Sequence, residues 1–135
     1  MTELVLLGLC AWSLILLVVL ISWRSLRVLT GQQAINAFST DGHEVSAANQ
    51  RLVRALANSL ENLPVSATVF LLAISTGHSA LLAPYAPLFL MARIGQSLIH
   101  IVSTSPLAVA LRFSAYALQV GLLLWWVVEL GRYFC

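Results

Sequence analysis

From Leu4 to Trp23 the chain runs for 20 residues without a charged side chain. That is the length a helix needs to cross a hydrocarbon core of roughly 30 Å. In lipid such a segment has one stable form open to it, because every backbone N–H and C=O must be satisfied within the segment itself. Glu3 precedes the run, and Arg24 and Arg27 follow it. A cleaved leader calls for a basic start, a shorter apolar stretch and a small-residue cleavage site. The segment therefore reads as a retained first transmembrane helix.

The remainder of the chain repeats the pattern. Thr30 to Ala47 is the one extended polar stretch, with turn chemistry at Thr30-Gly31 and Asp41-Gly42 and an acidic Glu44. A second helix is expected from about Ala48 to Ser75, carrying Pro64, which must kink it or be accommodated by its neighbours. Gly77 to Pro87 reads as an uncharged turn, and Leu88 to Ser103 as a third helix. Pro106 suits the first turn of a fourth, Leu107 to Tyr133, with Trp125, Trp126 and Tyr133 as interface anchors. Composition agrees: 9% of residues are charged and 60% hydrophobic, against roughly 25% charged in soluble domains. No soluble core of this size hides that much apolar surface. The expectation is an all-α membrane protein, a four-transmembrane-helix bundle forming one domain over residues 1–135.

Orientation follows from the arginines. Arg24, Arg27, Arg51 and Arg54 surround the first loop, whereas the connection between the second and third helices has none. The positive-inside rule puts the first loop in the cytoplasm and both termini outside, with Arg132 as a single opposing charge. A net charge of +2, scattered along the chain, gives no basis for nucleic-acid binding. The cysteines Cys10 and Cys135 lie near opposite ends without a partner motif and read as a small apolar residue and a terminal thiol.

The chemistry is concentrated on the second helix. At 100° per residue, Arg51, Arg54, Asn58 and Glu61 fall within an arc of about 80° and climb roughly 15 Å. Each ionised residue near mid-helix costs on the order of 3 kcal/mol in hydrocarbon. The stripe must therefore face a helix interface or a wet cavity. Arg54–Asn58 and Asn58–Glu61 have the spacing of a hydrogen-bonded ladder. Arg54 and Glu61 are about 10 Å apart along the axis, so Glu61 needs a partner from another helix or from a ligand. The third helix carries Arg93, Gln96 and His100 on one face, and the fourth carries Arg112, Tyr116 and Gln119 on one face. All seven basic residues are arginine, which keeps its charge when desolvated and binds carboxylates through a planar fork. An excess of arginine beside one glutamate suits a small anion that also carries an ammonium, or a peptide with two carboxylates.

Arg51-x-x-Arg54-Ala55-x-x-Asn58-x-x-Glu61-Asn62-x-Pro64 resembles the signature of the MAPEG family, the membrane-associated proteins in eicosanoid and glutathione metabolism. Asp41-Gly42-x-Glu44 before the second helix, Ala92-Arg93 in the third, and Pro106 followed by Arg112 in the fourth extend the resemblance over nearly the whole chain. It implies a four-helix protomer assembling as a homotrimer, with glutathione bound between subunits near the cytoplasmic face. Arg51, Arg54, Asn58 and Glu61 would hold glutathione, helped by Gln96 and His100. Arg112 would sit at the sulfur with Tyr116 one turn away, and Arg24 or Arg27 would reach over from the adjacent subunit. Several members have tyrosine or histidine where this chain has Gln96 and His100, and some have serine where it has Phe113.

Three functions compete on this basis. The first is a glutathione-dependent membrane transferase or peroxidase that turns the glutathione thiolate on a hydrophobic small molecule or lipid. The second is a non-catalytic scaffold of the same fold binding lipid or glutathione. The third is a small multidrug-type exporter built around an intramembrane glutamate, which the cationic neighbours of Glu61 disfavour because they would repel a cationic drug.

Overall fold

The computed structural model describes residues 1–38 and 46–134. Among them every regular element is a helix: α1 (Thr2–Leu29), α2 (Ala47–Ser75), α3 (Ser79–Leu82), α4 (Ala86–Val102) and α5 (Pro106–Phe134). The four long helices fall within two or three residues of the expected positions at most ends. α1 overruns its apolar run by two turns through Arg24 and Arg27, and the turn expected after Gly77 contains the short α3. Asp41, Gly42, Glu44 and Cys135 lie outside the described residues.

Local chemistry sets the helix ends. α1 and α2 close in the same way, on Gly31 (φ 69°) and Gly77 (φ 78°), a left-handed conformation that glycine adopts without a Cβ penalty. After Gly31 the Gln32 N–H bonds back to the Arg27 carbonyl at 3.0 Å, and after Gly77 the His78 N–H bonds to Ala73 at 2.8 Å. Ser46 caps the start of α2 by accepting from the Asn49 N–H at 3.1 Å. Ser105 does the same for α5 through Ala108 at 3.2 Å, with Pro106 in the first turn. Pro64 does not break α2, which continues to Ser75. Hydroxyls also bond to carbonyls beside it: Ser66 donates to Asn62 at 2.9 Å and Thr68 to Pro64 at 2.7 Å.

α1, α2 and α5 are each long and apolar enough to cross a membrane. α4 has 17 residues, about 25 Å of helix, at the short limit for a bilayer core. The helices pack in two halves. Toward the α2–α4 connection, Leu9 of α1, Phe70 of α2, Leu82 of α3, Phe89 of α4 and Trp126 of α5 form one apolar core. Trp126 is its centre: it meets Phe70 edge-on at 5.5 Å and Phe89 at 5.6 Å, with no exposed surface. This corrects its reading as an interface anchor; helical spacing places adjacent Trp125 and Trp126 about 100° apart, and only Trp125 is left outside. Toward the α1–α2 connection a smaller cluster joins Leu16 and Leu20 to Leu52 and Leu56. Gly8 brings α1 close to α4, since a Cβ there would stand 2.8 Å from Leu90 Cδ2.

Trp126→Ala should lower stability in detergent by on the order of 3 kcal/mol, because helix association in lipid rests on packing and the indole is fully buried. Trp126→Phe should cost far less, since it keeps a ring and removes an indole N–H that has no partner among the described residues. Thermal unfolding of both variants checks this; equal losses would show that the ring is not the keystone of the core.

Candidate functional site

Between the two apolar clusters lies a polar layer. Arg93, 4% exposed, projects from α4 into the bundle. Its Nη1 donates to Gln96 Oε1 at 3.4 Å and to the Asn58 carbonyl on α2 at 3.5 Å. The fully buried Gln119 of α5 donates from Nε2 to the same Gln96 oxygen at 3.0 Å and to the Ala115 carbonyl at 2.9 Å. Ser97 donates to the Arg93 carbonyl at 3.0 Å, and its hydroxyl stands 3.4 Å from that of Ser59 on α2. Three helices are thus joined through side chains that have no water to turn to, where polar bonding is strongest and omission most costly. Arg93 has no carboxylate partner among the described residues. Its Nη2 and the Gln119 Oε1 also lack partners there. The Tyr116 hydroxyl is within electrostatic reach of the guanidinium.

The second-helix stripe occupies a different face. Arg54 and Glu61 are exposed on the outside of the protomer, and Asn58 is half-buried between them. The ladder that their spacing permits does not form: among the described residues no hydrogen bond or ion pair links Arg54, Asn58 and Glu61. Arg51 turns toward the end of α4, where its Nε donates to the Ile101 carbonyl at 2.8 Å. Next to Ile101 on α4, His100 is half-buried, with Arg112 of α5 and Arg54 of α2 both within electrostatic reach. Its Nδ1 is covered and has no partner among the described residues. Arg54 and Arg112 thus bear on His100 from two other helices, at the end of the bundle that carries the α1–α2 connection. On α1, Arg24 lies over the Phe38 ring and Arg27 over the Trp23 ring, each at 5.3 Å.

The faces read from spacing are thus divided by depth. Arg93 and Gln96 go inside while His100, one to two turns on, stands at the convergence point. Likewise Gln119 is internal, Arg112 is half-buried beside His100, and Tyr116 remains 43% exposed beside Arg93. Gln96 accordingly sits in the interior network, apart from the Arg54–Glu61 stripe. Arg93 and Gln119 carry more of the site's architecture than their spacing suggested; the available signal was an arginine and two amides on facing helices, with no carboxylate between them. Ser59 and Ser97 gave none, being ordinary small residues in apolar surroundings.

The model of the MAPEG family matches residues 2–131. Neither the curated proteins nor the solved structures yield a match.

Gln96→Leu strips Arg93 and Gln119 of their shared acceptor and should cost about 1–3 kcal/mol. Combined with Gln119→Leu, the loss should fall short of the sum by at least about 0.5 kcal/mol, as expected of groups in one network. Thermal unfolding of the two single variants and the double checks it, strict additivity being the result that would dissolve the network.

Proposed function

Because this chain belongs to the MAPEG family, a family of membrane proteins in eicosanoid and glutathione metabolism, we propose that it is a glutathione-dependent membrane transferase working as a homotrimer. The observation that carries the reading is the outward placement of Arg54 and Glu61 on a helix long enough to span a bilayer. Two ionised side chains facing lipid would each cost on the order of 3 kcal/mol, and no residue of the same protomer neutralises Glu61 among those described. A second copy of the chain excludes lipid from this face, and a bound ligand completes its charges. Glutathione has the matching charges, with two carboxylates for the arginines and one ammonium for Glu61.

In this arrangement Arg54, Asn58 and Glu61 hold the peptide, with Arg51 at the rim. Arg112 and His100 stand at the α4–α5 end of the stripe, where the sulfur lies. An ordinary cysteine thiol has a pKa near 8.5. Lowering that of the bound thiol by about two units requires about 2.7 kcal/mol of preferential stabilisation of the thiolate, within reach of an arginine in a low-dielectric site. The thiolate lone pair then forms a carbon–sulfur bond to an electrophile that arrives from the lipid phase, and the protein contributes proximity and charge stabilisation. Tyr116, partly exposed on the same helix as Arg112, is the hydroxyl that can protonate the departing group.

The reading is tested by titrating glutathione into the purified protein in detergent at neutral pH and following thiolate absorbance in the ultraviolet. A saturable thiolate signal supports binding and activation together. Binding without thiolate would favour a scaffold of the same fold, and no binding would remove the enzyme. Glu61→Gln should weaken glutathione binding about tenfold or more while the oligomer stays intact, since a charge-assisted contact contributes about 1.5–3 kcal/mol. If the oligomer instead falls apart, Glu61 is an assembly clamp. Arg112→Leu should reduce the thiolate signal more than binding, and equal loss of both would refute its place at the sulfur.

A further inference from the structure

One apolar groove of about 310 Å³ lies away from this site, walled by α1, the start of α2 and the end of α4. On α1 it is lined by Trp12, Leu16, Val19 and Trp23, at the helical spacing that makes one stripe. Leu52 of α2 and Leu98 of α4 face them. Counted around α2, the groove residues Ala48, Asn49 and Leu52 lie about 145° from the centre of the Arg51–Glu61 stripe. The groove thus opens on the side of α2 away from the stripe.

Three features specify what it accepts. From Trp12 to Trp23 the groove extends roughly 16 Å along α1, which is half of a hydrocarbon core of about 30 Å, or the depth of one leaflet. Its lining is apolar apart from Asn49, so a polar occupant would lose its hydration without replacement. At its outer end stand two cations. The Arg27 guanidinium lies over Trp23, and Arg51 is bonded to the carbonyl of Ile101, itself a wall residue. Neither has a carboxylate partner among the described residues. A chain of methylene groups one leaflet long, ending in a negative charge at the level of Trp23, meets all three.

We propose that this groove is a binding site for an anionic phospholipid, one acyl chain lying between α1 and α4 and the phosphate paired with Arg27 and Arg51. The acyl-chain groove is separate from the proposed glutathione site, and only the headgroup meets that site, at Arg51 on its rim. Native mass spectrometry of the full chain in detergent, with dioleoyl phosphatidylglycerol or dioleoyl phosphatidylcholine added, tests it. The expected result is one retained phosphatidylglycerol per protomer, preferred over phosphatidylcholine roughly fivefold, the scale of one cation beside an anionic headgroup. Val19→Trp, which fills the groove from a wall position that is 48% exposed, should abolish retention and leave the glutathione thiolate signal in place. Leu98→Trp, from the opposite wall and 46% exposed, should do the same should the first variant fold poorly. Arg27→Gln should narrow the preference, with Arg51 still in place. Equal retention of both lipids by the unaltered protein, or undiminished retention in the groove-filled variants, overturns the proposal. So does a spectrum in which filling the groove splits the oligomer and releases no lipid, because the groove would then be an interface between copies.

Discussion

A guanidinium in a low-dielectric interior is the constraint around which this bundle is arranged. Arg93 can stay inside only if neighbouring helices supply acceptors, and it takes one from the α2 backbone at Asn58 and one from Gln96 on its own helix. Gln119 then brings α5 onto the same oxygen. The relative rotations of α2, α4 and α5 are set by these bonds, because turning any of them by one residue, 100°, would strand a charged or amide group in an apolar environment. Hydrophobic burial cannot provide that specificity in lipid, where the surroundings are as apolar as the core. The aromatic cluster at the other half of the bundle contributes packing density, with Phe70, Phe89 and Trp126 meeting as tilted and edge-on rings.

With the inward face of α2 occupied, its remaining polar residues are turned out. Ala55 and Ser59 are buried against the neighbouring helices, whereas Arg54 and Glu61 stand on the far side. One protomer therefore has more polar requirements than it can meet, and the unmet ones lie on its surface. A monomer in lipid would bear the full cost of both charges. The same deficit that makes an isolated protomer unfavourable makes the face competent for a charged ligand, since the groups are already desolvated and lack internal partners. In the proposed trimeric glutathione site, assembly and ligand recognition would rest on this one physical deficit.

The helices and the shared face of the Arg51–Glu61 stripe could be read from the chain because both are periodic signals, whereas the exposure of Arg54 and Glu61 on the outside of the protomer could not. Leu4–Trp23 spans a bilayer by length alone, and the Arg51–Glu61 spacing defines one face of any helix that contains it. Depth could not be read so directly. Arg93, Gln96 and His100 share a face, yet the antiparallel neighbour covers the first two more deeply than the third. Trp125 and Trp126 are identical in composition and adjacent, and only the rotation of α5 decides which becomes core. The short α3 was concealed by Pro84 and Pro87, which mark a turn without saying that Ser79–Leu82 coils before it. Rotation and depth are settled by partners, and a sequence read one helix at a time has none.

The division of α2 into faces also bears on how one small chain serves two solvents. A ligand with several charges must come from water, whereas a lipophilic co-reactant or a structural lipid comes from the bilayer. Arg54, His100 and Arg112 gather at the end of the bundle near the α1–α2 connection, so charged groups reach the convergence point without crossing the apolar half built on Trp126. The groove on the opposite side of α2 opens along α1 at leaflet depth and presents almost no polar group. With the body of α2 between them, the proposed aqueous ligand and the acyl chain of the proposed lipid would be held at once without either desolvating the other. A helix with Ala55 and Ser59 against its neighbours, arginines on one flank and Leu52 on the other would do this with side-chain chemistry alone.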